Sequence, residues 1–314
     1  MSEMLRIRNL TKRFGALTAV DDISLAVDRG EVLGFLGPNG AGKSTTMKMV
    51  TGFLPPTSGT AELCGFDVTR DPIEVKRRVG YLPEGAPLYE DMTPLAFLNF
   101  VGEVRGIPAA ERAGAIERAA GLIHIGEVML QPIGTLSKGY KRRVGLAQAI
   151  VHDPEVLILD EPTDGLDPNQ KHEVRELIAK MAEDKAIVIS THLLEEVEAV
   201  CTRAAIISRG KIVVDGTPDG LLARSRYRNA VSVRTGLAQA DAVAGVLRAV
   251  EAIERVEAGA RDSQSAEFVA VPANGAVILP LVAQALHANG LAVYEISAER
   301  GRLDEVFRTL TVGE

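Results

Sequence analysis

Three short runs of nearly unbroken apolar residues punctuate the first two thirds of the chain: Val32-Leu33-Gly34-Phe35-Leu36, Val156-Leu157-Ile158-Leu159 and Ala186-Ile187-Val188-Ile189. Each is bounded by polar residues and is short for a helix, so each predicts a strand buried on both faces, as in a parallel sheet. Leu5-Arg6-Ile7-Arg8 and Ile23-Ser24-Leu25-Ala26-Val27 alternate instead, which predicts strands with one packed face. Thr60 to Phe66 and Val79-Gly80-Tyr81-Leu82 predict two more strands, with Val75 to Arg78 closing a short helix before the second. A helix is predicted from Ser44 to Thr51, stopped by Pro55-Pro56-Thr57-Ser58-Gly59. Helical period returns from about Pro94 to Gly134, from Ser137 as an N-cap to Val151, and from Asn169 to Met181. The first region therefore reads as α/β with a helical insertion at about 88–150.

Composition shifts over Asp219 to Asn229, a polar connector containing arginines. Beyond it the pattern predicts strand 231–234, helix 240–250, strands 253–257 and 267–271, helix 277–289, strand 291–296 and helix 303–310. That order is βαββαβ with an added helix, the ferredoxin-like arrangement. The expected domains are 1–222 and 223–314, and a chain of 314 residues suits two. No heptad run, low-complexity tract or solenoid repeat interrupts them.

No stretch approaches the ~20 apolar residues that span a bilayer. The best candidate, Ala276 to Leu286, is broken by Pro280 and Gln284, and the N-terminus lacks the apolar core of a signal peptide. Cys64 and Cys201 lie in unrelated contexts, which suits two reduced thiols of a cytosolic protein rather than a metal site. A net charge of −7 argues against a general nucleic-acid binder, and the absence of Trp argues against stacking platforms.

The chemistry-bearing residues follow the apolar runs. Directly after Leu36 comes Gly37-Pro38-Asn39-Gly40-Ala41-Gly42-Lys43-Ser44-Thr45, of the form GxxxxGKS, between a predicted strand and a predicted helix. In that context the glycines let the backbone wrap an anion, and loop N–H groups and the helix N-terminus face it. The motif implies a bound nucleoside triphosphate, with Lys43 reaching the β- and γ-phosphates and Ser44 on Mg²⁺. The strand Val156–Leu159 ends at Asp160-Glu161, at the edge where α/β sheets bind ligands. Asp160 there would hold Mg²⁺, and Glu161 would polarise an attacking water. Leu136-Ser137-Lys138-Gly139-Tyr140 opens the preceding helix with a hydroxyl and a bare backbone, which can cap a phosphate. Read alone, a Ser-x-Gly before a helix is an ordinary cap.

Taken in order, these motifs resemble those of ATP-binding cassette (ABC) ATPases over about residues 4 to 222. Residues 136–140 resemble the signature LSGGQ, with Ser137 and Gly139 matching and Lys138 and Tyr140 departing. Pro162 and Asp164-Gly165-Leu166-Asp167 resemble the D-loop, and His192 in Ser190-Thr191-His192 resembles the switch histidine. Phe14 stands where the family has its adenine-stacking aromatic, with a core phenylalanine as the other reading. Glu84, in Tyr81-Leu82-Pro83-Glu84, stands where Gln is usual. A carboxylate accepts but cannot donate as an amide does, though it could join Mg²⁺.

The resemblance implies a P-loop NTPase cassette, a RecA-like core plus helical subdomain, with a small α+β C-terminal domain. It implies an ATPase using ATP and Mg²⁺, with Lys43, Glu161 and His192 catalytic, Ser44, Glu84 and Asp160 on the metal, and Phe14, residues 37–45, Ser137, Gly139 and Asp167 around the nucleotide. Two copies would pack head to tail, each site taking Ser137 and Gly139 from the partner. The load would be an integral-membrane permease on separate chains, placing the protein at the cytoplasmic face of the membrane, with no nucleic acid. The 81–84 and 136–140 segments and the closing Leu303-Asp304-Glu305-Val306-Phe307 are similar to the ABC-2 exporter branch of gliding-motility and drug-export ATPases. The segment Leu88 to Val104 would either receive the permease or form the core of the helical insertion. The alternative is a soluble ATPase acting on ribosomes or DNA. The single cassette, the lack of coiled-coil or zinc insertions and the acidic charge weigh against it.

Overall fold

Alternation in the first 28 residues produces a long antiparallel hairpin, β1 (Glu3–Phe14) and β2 (Leu17–Asp28). The structure, a computed structural model, describes residues 3–312. Its chain divides into two compact units between Pro218 and Asp219, slightly ahead of the expected 222/223 boundary.

The first unit continues through β3 (Val32–Leu36), α1 (Lys43–Val50), β4 (Ser58–Leu63), β5 (Phe66–Asp67), α2 (Pro72–Arg78) and β6 (Val79–Leu82). The helical insertion supplies α3 (Pro94–Val104), α4 (Ala109–Leu122) and α5 (Lys138–Ile150). Then come β7 (Val156–Asp160), α6 (Pro168–Met181), β8 (Ala186–Thr191), α7 (Leu194–Val200), β9 (Arg203–Ser208) and β10 (Lys211–Gly216), with α8 (Pro218–Leu222) at the division.

Two sheets form this unit. The hairpin and the β4–β5 pair make an antiparallel sheet of order β2-β1-β4-β5. The apolar runs make a second sheet of order β10-β9-β3-β8-β7-β6, parallel except for β10. Leu5, Ile7 and Leu10 of the first sheet and Leu33, Phe35, Ile158 and Val188 of the second belong to one buried cluster with Met47 and Met49 of α1. In the second sheet Leu36 pairs with Thr191, and Asp160 with Ser190. The polar residues after three strands thus emerge together at the C-terminal ends of neighbouring strands.

Two details correct the sequence reading here. The strand expected at Thr60–Phe66 is a tight hairpin, because Cys64 and Gly65 both take positive φ and reverse the chain as in a type I′ turn. The helical stretch from Pro94 is broken at Gly106-Ile107-Pro108, and short 3-10 turns cover Gly126–Val128 and Ile133–Thr135.

The second unit runs β11 (Val231–Gly236), α9 (Ala240–Ala249), β12 (Ile253–Arg261), β13 (Ser265–Pro272), α10 (Leu279–Ala288), β14 (Glu295–Ala298) and α11 (Leu303–Val312). Its antiparallel sheet has the order β12-β13-β11-β14, the ferredoxin-like arrangement. Val231, Val233 and Ala270 of the sheet pack with Val243 and Leu247 of α9 and Val282 and Leu286 of α10. The last strand begins four residues later than the apolar run Leu291–Val293 predicts. Ala292 N–H is taken by Gln239 Oε1 at 3.1 Å, so that run packs on the core as a connector and ladder pairing starts at Glu295. Among the described residues, no helix is long and apolar enough to cross a membrane.

Candidate active site

The loop between β3 and α1 turns tightly because two glycines admit backbone contacts a side chain would block. A Cβ on Gly37 would lie 2.4 Å from Ile207 O, and one on Gly42 would lie 2.5 Å from Ala19 O. Gly42 also has φ +109° as the residue that opens α1, where Thr46 N–H and Thr46 Oγ1 both reach Gly42 O at 2.9 Å. Asn39, Gly40, Gly42, Lys43, Ser44 and Thr45 line a cleft of about 350 Å³ together with Ala19, Glu84, Asp160 and Glu161. Gly37, Pro38 and Ala41 support it from behind the lining: Ala41 is buried and its N–H donates to Pro38 O at 3.1 Å.

Lys43 is only 8% exposed, and its Nζ donates to Gly37 O at 2.6 Å and to Pro38 O at 3.3 Å. Burial holds this amine below the usual lysine range, against the opposing pull of Glu161, Asp160 and Glu84. A cation facing three carboxylates from within a glycine loop is arranged to receive a polyanion.

Asp160 ends β7 at 2% exposure, and Glu161 follows in the left-handed region at φ +52°. Glu161 N–H donates to Ser190 O at 2.8 Å, Thr191 Oγ1 donates to Glu161 Oε2 at 3.3 Å, and His192 Nδ1 lies 2.8 Å from Glu161 Oε1. With the carboxylate ionised, Nδ1–H is the donor, which leaves Nε2 as the ring's remaining polar atom. The structure thus joins Glu161 and His192 as a hydrogen-bonded pair at the β7 and β8 ends.

Two members of this group carry no sequence signal. Thr191 is fully buried and shares Glu161 with His192. Arg142, from α5, is 6% exposed and donates to Pro83 O at 3.1 Å and to the carbonyls of Asp160 and Glu161.

Other predicted residues stand outside the cleft. Phe14 is half exposed at the hairpin end, opposite Leu17, with Lys12 Nζ 5.2 Å from its ring centroid. Ser137 caps α5 by accepting from Tyr140 N–H at 3.3 Å, and Gly139 packs where a Cβ would meet Gln170 Oε1 at 2.9 Å. Asp167 caps α6, accepting from Gln170 N–H at 2.9 Å. The departures from the signature pattern acquire partners: Lys138 pairs with Asp164 at 2.9 Å, holding that carboxyl below its usual range, and Tyr140 OH donates to Glu127.

The cleft suits a hard divalent cation. Ser44, Asp160 and Glu84 present oxygen donors only, and Asp160 Oδ2 is buried without a hydrogen-bond partner among the described residues. Among the described residues no group of three or more His, Cys, Asp and Glu is placed to hold a metal ion by itself.

Comparison with known proteins agrees with this geometry. The sequence profile of the family described as ABC transporter matches residues 20–164. The ABC transporter ATP-binding protein NatA of Bacillus subtilis (strain 168) is 35% identical over 229 residues, covering 71% of this chain and 93% of that one. The Nod factor export ATP-binding protein I of Ralstonia nicotianae is 37% identical over 223 residues, covering 70% of this chain and 68% of the relative. A solved ATP binding subunit of an ABC transporter superposes with TM-score 0.65 at 30% identity, covering 69% of this chain and 91% of the other.

Proposed function

Because the chain belongs to the ABC transporter family of ATP-binding subunits, which hydrolyse ATP, we propose that it powers an export permease carried on separate chains, by ATP-driven closure of a head-to-tail homodimer. One observation carries this reading. Lys43, Ser44, Asp160 and Glu161 share one cleft, while Ser137, the cap of α5, and Gly139 in its first turn are not among the cleft's lining residues. A chain that holds both halves of a nucleotide sandwich apart needs a second copy to bring them together.

In hydrolysis, Lys43 would leave the Gly37 and Pro38 carbonyls for the terminal phosphates of ATP, and Glu161 would accept a proton from the water that attacks the γ-phosphorus. His192 holds the carboxylate through Nδ1–H and, with both ring nitrogens protonated, would donate from Nε2–H to the γ-phosphate oxygens. Mg²⁺, held by Ser44 and Asp160 with Glu84 nearby, would neutralise charge on the phosphates when bound. The partner's Ser137 hydroxyl and α5 N-terminus would complete the enclosure. Phe14 would stack on the adenine from the hairpin end, and Asp167 would sit at the dimer seam.

The permease reading draws on the surface of α3. Phe97, Leu98 and Val101 are buried, while Leu95, Phe100 and Val104 of the same helix are exposed, beside exposed Tyr89. Phe53, Ile73, Tyr81, Phe100 and Val104 line a groove of about 480 Å³. The segment 88–104 therefore serves as core on one face and offers an apolar docking surface on the other. Export is favoured by the name of the Ralstonia relative, and the position at the cytoplasmic face of the membrane follows from a peripheral subunit docked on a permease.

The dimer is tested by complementation. Ser137→Arg and Glu161→Gln should each lack turnover alone. Mixed, they should recover part of it, because a mixed dimer contains one site with Glu161 from one chain and Ser137 from the other. A mixture as inactive as its components would overturn the shared-site reading.

A further inference from the structure

Some buried charges of the first unit have backbone carbonyls rather than carboxylates as hydrogen-bond partners. Arg142 is the clearest. Its guanidinium sits between three backbone carbonyls, Pro83 after β6, Asp160 at the end of β7 and Glu161 after it, with no side-chain anion among the described residues in hydrogen-bond contact. Burying such a cation is costly, and carbonyl dipoles alone repay it poorly. Asp164, Asp160, Glu161 and Glu84 lie around it and oppose the loss of its charge.

What the guanidinium holds is a strained segment. A residue with a side chain in the left-handed region is strained, and persists where its surroundings over-determine it. Glu161 is such a residue, fixed at its N–H by Ser190 O and at its carbonyl by Arg142. Relaxation of that peptide would redirect the Cβ and, with it, the carboxylate that lines the cleft.

We propose that Arg142 is a positioning residue for hydrolysis: from α5 it fixes the backbone of Asp160 and Glu161 and so keeps the Glu161 carboxylate aimed into the cleft. The inference rests on the reading of that cleft as the hydrolytic site. Lysine cannot replace arginine in the role, since one ammonium lacks the planar fork that reaches several carbonyls at once. The neighbouring Arg143 supplies a control. It is equally buried on the same helix, but it donates to Ile123 O at 3.3 Å and Glu173 at 2.8 Å, away from the cleft.

The test compares purified Arg142→Lys, Arg142→Gln, Arg143→Gln and Glu161→Gln chains for kcat and KM of ATP hydrolysis, equilibrium binding of a fluorescent ATP analogue, and thermal midpoint. Both Arg142 variants should lower kcat by roughly 10–100-fold, the usual cost of losing an outer-shell support, while nucleotide affinity stays within about threefold. Arg143→Gln should lower the thermal midpoint as much and leave kcat within about twofold. Arg142→Lys keeps the charge and guards against misfolding of the Gln variant. The proposal is overturned if the Arg142 variants keep near-normal kcat, or if Arg143→Gln depresses kcat equally. If Glu161→Gln itself turns over normally, the hydrolytic reading of the cleft fails instead.

Discussion

The two units bury different things. In the first, the buried set includes Lys43, Arg142, Arg143, Asp160 and Glu196; in the second, the buried polar side chains among the described residues are the hydroxyls of Ser225, Thr235 and Ser265. Backbone strain divides the same way. Side-chain-bearing residues at positive φ in the first unit include Glu161 and Ala86, whereas in the second they are Asn229 and Asn274, a residue type that tolerates that region. Buried charge and strained backbone are expensive, and proteins keep them where a site demands them. The first unit is therefore built around chemistry. The second follows the ordinary rules of an aliphatic core under a sheet, as a module made for packing or contact would.

The contrast can be broken at either end. The largest effect belongs to Glu161→Gln, expected to keep ATP binding and lower turnover by ~10²–10⁴, the worth of a general base. Steady-state phosphate release beside nucleotide binding decides it, and normal turnover would remove the chemistry from the first unit. Next comes Leu247→Ala, which empties a fully buried position of the second core. It should destabilise that unit by ~2–5 kcal/mol and leave the kcat of the purified chain unchanged. A parallel loss of kcat in thermal and kinetic assays would show that the second unit shares in the chemistry.

The smallest effect is a titration confined to the first unit. Burial and nearby Arg105 push His152 down to about 4 from the usual 6.5, and its Nε2–H donates to Val79 O at 3.1 Å. The unfolded chain then binds more protons between pH 6.5 and about 4, so this contribution is complete above 6.5 and is lost as pH falls towards 4. The loss is at most ~1.4 kcal/mol per pH unit. Denaturant unfolding of wild type and His152→Gln across that range should show stability falling more steeply with acid in the wild type than in the variant.

What could be read in the sequence was whatever depends on local pattern. The phosphate loop, the buried strands before it and before Asp160, and the Ser137 cap all follow from neighbours in the chain. The hairpin β9–β10 is equally local: Ala204–Ile207 is an apolar run, and Arg209-Gly210 supplies the two positive-φ residues of its turn. Arg142 and Thr191 were out of reach. An arginine in a helix reads as solvated, and only the meeting of α5 with the ends of β6 and β7 makes it a buried clamp. The late start of β14 is likewise decided by Gln239, a residue more than fifty positions earlier in the chain.

Because Ser137 stands away from the cleft in its own chain, the rate law should change with dilution. If each molecule carries half of two sites, as proposed, then below the dimerisation constant halving the protein concentration should cut hydrolysis roughly fourfold. Binding to a two-fold permease would erase that dependence by raising the local concentration of the second half-site. Idle copies would then spend little ATP until they are mounted in pairs.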